Sequence, residues 1–245
     1  MTLLVLGQPW VWIQVACGTD AAFPPVTDVG ASCEPGSVPT TLRIYLEQGR
    51  TKVFANALDW PGWSRWAKND ETAIDELLAY AERYSAVAVR AGARFPTSHD
   101  VVVVERVPGD TTTDFGAPST PSSSDAVDLA PKALAAQVAL VRASWDLLGD
   151  VASAAPEELR KGPRGGGRDR DAVVDHVREA ERAYARKLGV RHPPYRSAAD
   201  VTAMRDELTA ALLAGATDGP WPPPYAMRRI AWHVLDHAWE IEDKS

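Results

Sequence analysis

Apolar positions follow two different rhythms along the chain. From Thr41 onward Leu42, Ile44 and Leu46 alternate with Arg43, Tyr45 and Glu47, the period of a strand whose faces differ. Gln48-Gly49 supplies a turn, and Val53, Ala55 and Ala57 then alternate with Lys52, Phe54 and Asn56, which predicts a hairpin. The stretch Leu58-Asp59-Trp60-Pro61-Gly62-Trp63 ends the alternation. Asn69 or Asp70 can cap a helix running to about Ala88, with Ala73, Leu77, Ala81 and Tyr84 on one side. A β-branched run follows at Val101 to Val104. The pattern predicts a small β-β-α-β unit over residues 40–108.

Beyond Pro108 the rhythm stops. Residues 109–130 carry a triple Thr and the run Pro118 to Ser124, a composition that predicts a linker and a domain boundary. After Pro131 the spacing is helical in four segments, Pro131 to Leu148, Asp169 to Leu188, Ala198 to Ala214 and Tyr225 to Asp243, separated by Gly- and Pro-bearing breaks. Four helices with short to medium connections predict an antiparallel four-helix bundle over residues 131–245. The expected fold class is therefore α+β in two domains. Residues 1–39 contain Pro24-Pro25, Pro35-Gly36 and Pro39 without any sustained period. They are expected to be a poorly structured N-terminal segment, with the folded chain beginning near Val38.

Composition narrows the function. The 245 residues are 45% hydrophobic and 24% charged, with 26 Lys and Arg against 33 Asp and Glu, a formal charge of −7. That balance supplies no global field for a polyphosphate backbone, so no nucleic-acid partner is expected. Both cysteines, Cys17 and Cys33, lie in the first 35 residues. A disulfide framework, a Cys-based zinc site and a cysteine nucleophile are thereby excluded from the main body. The apolar stretch Met1 to Ala16 is interrupted by Gln8, Pro9 and Gln14, and no Lys or Arg precedes Arg43. It reads neither as a signal peptide nor as a membrane span, so a cytoplasmic protein without a membrane partner is expected.

Any metal would need His and carboxylate ligands, and the histidines are suggestively placed. His99 and His192 read as solvated loop residues. At about 100° per residue, Met227, Ile230, Val234 and Ile241 define the apolar stripe of the last helix, with His237 inside it and His233 at its shoulder. On the second bundle helix His176 lies at the shoulder of the stripe formed by Val173, Val177, Ala180, Tyr184 and Leu188. Each histidine alone is more often a hydrogen-bonded core residue. An i, i+4 pair facing a third across one interior is a known zinc set that leaves a fourth position for water or substrate. The pair reads His233-Val-Leu-Asp-His237, without the Glu of the metalloprotease motif, which disfavours peptide hydrolysis of that type.

His176, a long gap and then His233-x-x-x-His237 on the last helix resembles the DinB-like superfamily, over about Pro131 to Asp243. The resemblance implies a four-helix bundle that holds a divalent metal, zinc or nickel, through His176, His233 and His237. It also implies, as in some relatives, activation of a low-molecular-weight thiol such as mycothiol, bacillithiol or glutathione for transfer or isomerisation. After His237 the chain runs Ala-Trp-Glu-Ile-Glu, where many relatives continue in an Arg-Gly-Gln-like way. The hairpin, the Leu58 to Gly62 turn and the acidic helix start Asp70-Glu71-Thr72-Ala73-Ile74-Asp75-Glu76 are similar to the HicB-like antitoxin fold, a small binding domain.

Other features fit around this reading. The Gly-rich basic loop Lys161 to Arg170 precedes the His176 helix, and Arg164 or Arg168 is the candidate for orienting a substrate carboxylate, although the loop reads equally well as a solvated connection. Trp232, Leu235 and Trp239 lie opposite the histidines. They are expected to dock on the N-terminal unit, with a homodimer contact as the second reading. Trp60, Trp63 and Trp66 are expected to pack under a loop. Glu179 is the nearest candidate acid or base, and Glu240, Glu242 and Asp243 read as a solvated end. Two functions follow: an enzyme whose metal position binds a thiol and lowers its pKa for attack on an electrophile, or a non-catalytic module with a structural three-histidine site and a HicB-like partner-binding unit.

Overall fold

The computed structural model describes residues 40–96, 99–162, 166–215 and 219–245. The segment 1–39, expected to be poorly structured, lies outside them. The described residues form an α+β fold with one four-stranded mixed sheet and seven α-helices.

Strands β1 (Thr40–Gln48) and β2 (Val53–Ala57) make the expected antiparallel hairpin, with Ile44 opposite Ala57. A third strand, β3 (Ser64–Ala67), pairs antiparallel with β2. Four residues after a Trp-Pro-Gly turn are too few to show a period, so the alternation did not reveal it. Strand β4 (His99–Pro108) runs parallel to β1, with a register shift between Ile44 and Tyr45, and completes the order β3-β2-β1-β4.

The turn into β3 depends on Gly62. Its φ of +92° lies in the left-handed region, and a Cβ there would sit 2.7 Å from Leu235 Cδ1 and 3.0 Å from the Ala231 carbonyl carbon. Gly62→Ala is therefore strained twice, in backbone and in packing, and is expected to cost more than about 1 kcal/mol. A lowered urea midpoint at unchanged m-value would register it.

The helix expected over residues 69–88 is two helices, α1 (Asp70–Ala79) and α2 (Ala81–Arg90), joined at Tyr80. Asn69 caps the first: its side chain accepts from the Thr72 backbone N–H at 2.9 Å. Beneath them lies Trp63, fully buried, with its indole N–H donating to Leu77 O at 2.8 Å and its ring stacked on Tyr84 at 5.4 Å. Trp66, by contrast, is exposed and lies under the Lys52 ammonium.

Residues 109–130, expected as a linker, carry α3 (Thr111–Phe115) and a 3-10 turn at Ser123–Ala126, each closed by a reciprocal cap, Asp110 with Thr113 and Ser122 with Asp125. They cover the face of β1 that bears Tyr45 and Glu47. The Glu47 carboxylate is fully buried and accepts from the Thr113 hydroxyl at 2.5 Å and the Ser119 backbone N–H at 3.0 Å. Burial pushes its pKa up, and these donors pull against that rise. The Ser and Thr residues that look solvated by composition supply the hydrogen bonds that make a carboxylate tolerable there.

Four longer helices follow: α4 (Pro131–Ala154), α5 (Arg170–Arg186), α6 (Ala198–Ala214) and α7 (Pro223–Lys244). They share a core of Val138, Val141, Val177, Met204, Leu208, Ile230 and Val234, among others. The opposite side of α7 is apolar too. Leu235 and Trp239 join the core of Leu42, Ile44, Trp63 and Leu77, and Trp232 meets Phe54 edge-on at 6.0 Å. This is the expected docking of α7 on the N-terminal strands and helices. Among the described residues, no helix is long and apolar enough to cross a membrane.

Candidate metal centre

The apolar stripes of α5 and α7 decide where their histidines point. Val173 and Val177 are fully buried on α5, which leaves His176 half-buried at the edge of the interface. On α7, Ile230, Val234 and Ile241 are fully buried, and the row beside them carries His233, 7% exposed, and His237. The two helices pack together, so the imidazoles converge. The His176 ring lies 5.1 Å from His233 and 5.0 Å from His237, and His233 lies 4.7 Å from His237. One nitrogen from each lies within 4.8 Å of the other two. Two ligand bonds of roughly 2.0–2.1 Å nearly span that separation, so the three side chains could hold one metal ion.

The chemistry of the donors fits an ion as well as their positions do. The buried His233 Nδ1 has no hydrogen-bond partner, a state that costs about 1–3 kcal/mol unless something occupies it. Burial first, and the neighbouring His237 and Arg229 charges next, drive the His233 pKa down to about 2, so the ring is neutral. Burial likewise lowers His176. Neutral imidazoles are the form that ligates.

Behind His237 sits Glu240, whose carboxylate lies 2.7 Å from His237 Nδ1 and also receives the Lys244 ammonium at 2.5 Å. The bond to His237 is the main cause that holds the Glu240 pKa down to about 2. With Nδ1 engaged, His237 presents Nε2 to the cluster, the carboxylate–histidine arrangement that fixes a ligand's tautomer and orientation. The reading of Glu240 as part of a solvated tail is thus corrected. Its signal was its place three residues after His237, on the same helix face. Glu242 and Asp243 are engaged as well, both by Arg83.

Glu240→Gln keeps the shape and removes the charge. It is expected to weaken metal affinity about 10–100-fold with little change in fold. Competition with a chromophoric chelator measures the first, and far-ultraviolet circular dichroism the second.

The remaining candidates separate clearly. Arg168, just ahead of α5, is exposed, and its charge acts on both His176 and His233. Arg164 lies outside the described residues. Glu179 is exposed and held by Arg182 at 2.5 Å, so it serves no catalytic role visible in this geometry. His192 is half-buried in the loop before α6, its Nδ1 3.1 Å from Pro193 O and outside the cluster, and His99 opens β4.

Around His233 lie Tyr184, edge-on at 5.6 Å, and Trp232 at 6.1 Å. The Arg229 guanidinium is held over both rings, 4.9 Å from that of Tyr184 and 4.7 Å from that of Trp232. Comparison with family models, curated proteins and solved structures finds no match to this chain.

Proposed function

We propose that the protein is a DinB-like metal-dependent enzyme in which His176, His233 and His237 bind one divalent ion, zinc or nickel, for transfer or isomerisation by a low-molecular-weight thiol. On this reading residues 131–245 are the DinB-like four-helix bundle and residues 40–108 a HicB-like unit packed against it. The observation that carries the proposal is the convergence of three imidazoles from two helices, with Glu240 braced behind one of them.

When bound, the ion would supply Lewis acidity, favouring the thiolate form of a thiol placed in its open position. The chain supplies the rest. His233 and His176 stay neutral because they are desolvated, and His237 is oriented by Glu240. Tyr184 and Trp232 set aromatic rings beside His233. Among the described residues Glu240 is the one carboxylate hydrogen-bonded to any of the three rings, a supporting place behind His237.

The cobalt-substituted protein, titrated with glutathione, mycothiol and bacillithiol in turn, tests this. A thiolate-to-metal charge-transfer band is expected for at least one thiol. A spectrum unmoved at saturating concentrations of all three would overturn the thiol reading.

A further inference from the structure

Among the described residues two arginines are buried, Arg228 and Arg229, and they differ in their partners. Arg228 is held by Asp125, and the partly buried Arg205 and Arg65 are held by Glu181 and Asp236. Arg229, 9% exposed, has no carboxylate within ion-pair distance among the described residues, and its Nη1 is buried without a hydrogen-bond partner. A desolvated cation without a counter-charge is expensive. The two flat rings beside it, Tyr184 and Trp232, compensate in part through their π faces, but neither accepts the in-plane N–H groups of the fork.

The position is as telling as the missing partner. Tyr225, Arg229, His233 and His237 follow one another at intervals of four along α7, so the guanidinium stands one helical turn from His233, on the same row. Glu240 closes the other end of that row behind His237. The line along the helix therefore reads cation, ligand, ligand, carboxylate, and the cation has no carboxylate of its own among the described residues.

We propose that Arg229 anchors the carboxylate of a small organic acid, whose reacting atom then lies about one helical turn away at the three histidines. This assigns the substrate class of the metal centre, and it rests on the metal-centre reading only for what happens at that second end. A planar fork with two flat aromatic neighbours suits the planar, singly charged carboxylate in a bidentate pair. A phosphate dianion would remain half-compensated beside one buried cation. In this proposal Arg229 takes the anchoring role that the sequence offers to Arg164 or Arg168.

Calorimetric titration of the full-length protein, zinc-loaded and zinc-free, with succinate, its diamide succinamide and inorganic phosphate tests the proposal, with metal content measured on every sample. The wild type is expected to bind succinate and not succinamide. Arg229→Gln is expected to weaken succinate about 10- to 100-fold, the loss of a charge-assisted bond, at unchanged metal content. Arg229→Lys keeps the charge without the fork, so it should fall between the two, and it serves as the second variant if Arg229→Gln does not fold. Succinate bound by the zinc-free protein and lost in Arg229→Gln would uphold the anchor while removing the metal from its role. Succinate binding within twofold of wild type in Arg229→Gln, no succinate binding by the wild type in either form, or phosphate bound more tightly than succinate would each overturn it.

Discussion

Protein carrying His237→Leu is expected to purify without metal and to melt close to metal-stripped wild type, whereas His237→Ala should lose the metal and also melt lower. The ring is largely enclosed, with 13% of its side-chain surface exposed, against the His176 and His233 rings. Leucine fills most of that volume and ligates nothing. Alanine opens space beside the buried Val234 and Ile241 and should cost about 0.5–3 kcal/mol beyond the loss of metal. The affinity loss should exceed the 10–100-fold given for Glu240→Gln, because a ligand rather than its support is removed. Metal-stripped wild type is the proper reference, since any ion that binds only the folded state raises its melting temperature by mass action. If His237→Leu melted far below that reference, the three rings would be serving the core rather than an ion. Calorimetric scans with chelator present make the comparison.

A second large effect is expected at the ion pair of Asp125 and Arg228. Asp125 and Arg228 are each 4% exposed, and Arg228 Nη2 donates to both carboxylate oxygens at 2.6 and 2.5 Å. The same carboxylate accepts the Ser122 backbone N–H at 2.8 Å, and the guanidinium stands 5.4 Å from the Tyr45 ring centre. This pair pins the 3-10 turn to α7. Asp125→Ala strands a buried cation, and about 3–5 kcal/mol of stability is expected to disappear with it. The double variant Asp125→Leu with Arg228→Met removes both charges and should recover much of that loss, because apolar replacements of similar volume avoid the desolvation cost. Urea unfolding of the two single variants and the double variant closes the cycle. A double variant no better than Asp125→Ala would mean that packing, not charge, holds the turn.

Much of this architecture was legible in the order of residues. Strict alternation at Leu42, Ile44 and Leu46 and the stripes of α5 and α7 are set by burial on one side, and burial is what a sequence pattern records. The histidine cluster was legible for the same reason: His233 and His237 share a helix face, and the stripe that must be buried carries His176 toward them. What escaped was decided by partners remote in sequence. Nothing local marks the break at Tyr80, a residue with φ −90° and ψ 3° that neither Gly nor Pro announces. Residues 109–126 look like water-exposed chain by composition, yet Thr113 and Ser119 are there to satisfy Glu47, more than 60 positions earlier. The caps that begin α3 and the 3-10 turn were visible as Asp110-x-x-Thr113 and Ser122-x-x-Asp125, and they were the available clue. Glu240 and Arg229 were hidden because charge near a chain end or beside another arginine suggests solvent, and only the packing of α7 shows otherwise.

Whether the three histidines form one metal site is read from the metal content of full-length protein purified without a histidine tag. Plasma mass spectrometry is expected to find one equivalent of zinc or nickel in the wild type and none in the protein carrying His176→Leu, His233→Leu and His237→Leu together. A wild type that takes up no divalent ion even after reconstitution, or a triple variant that keeps its metal, would contradict the three-histidine site.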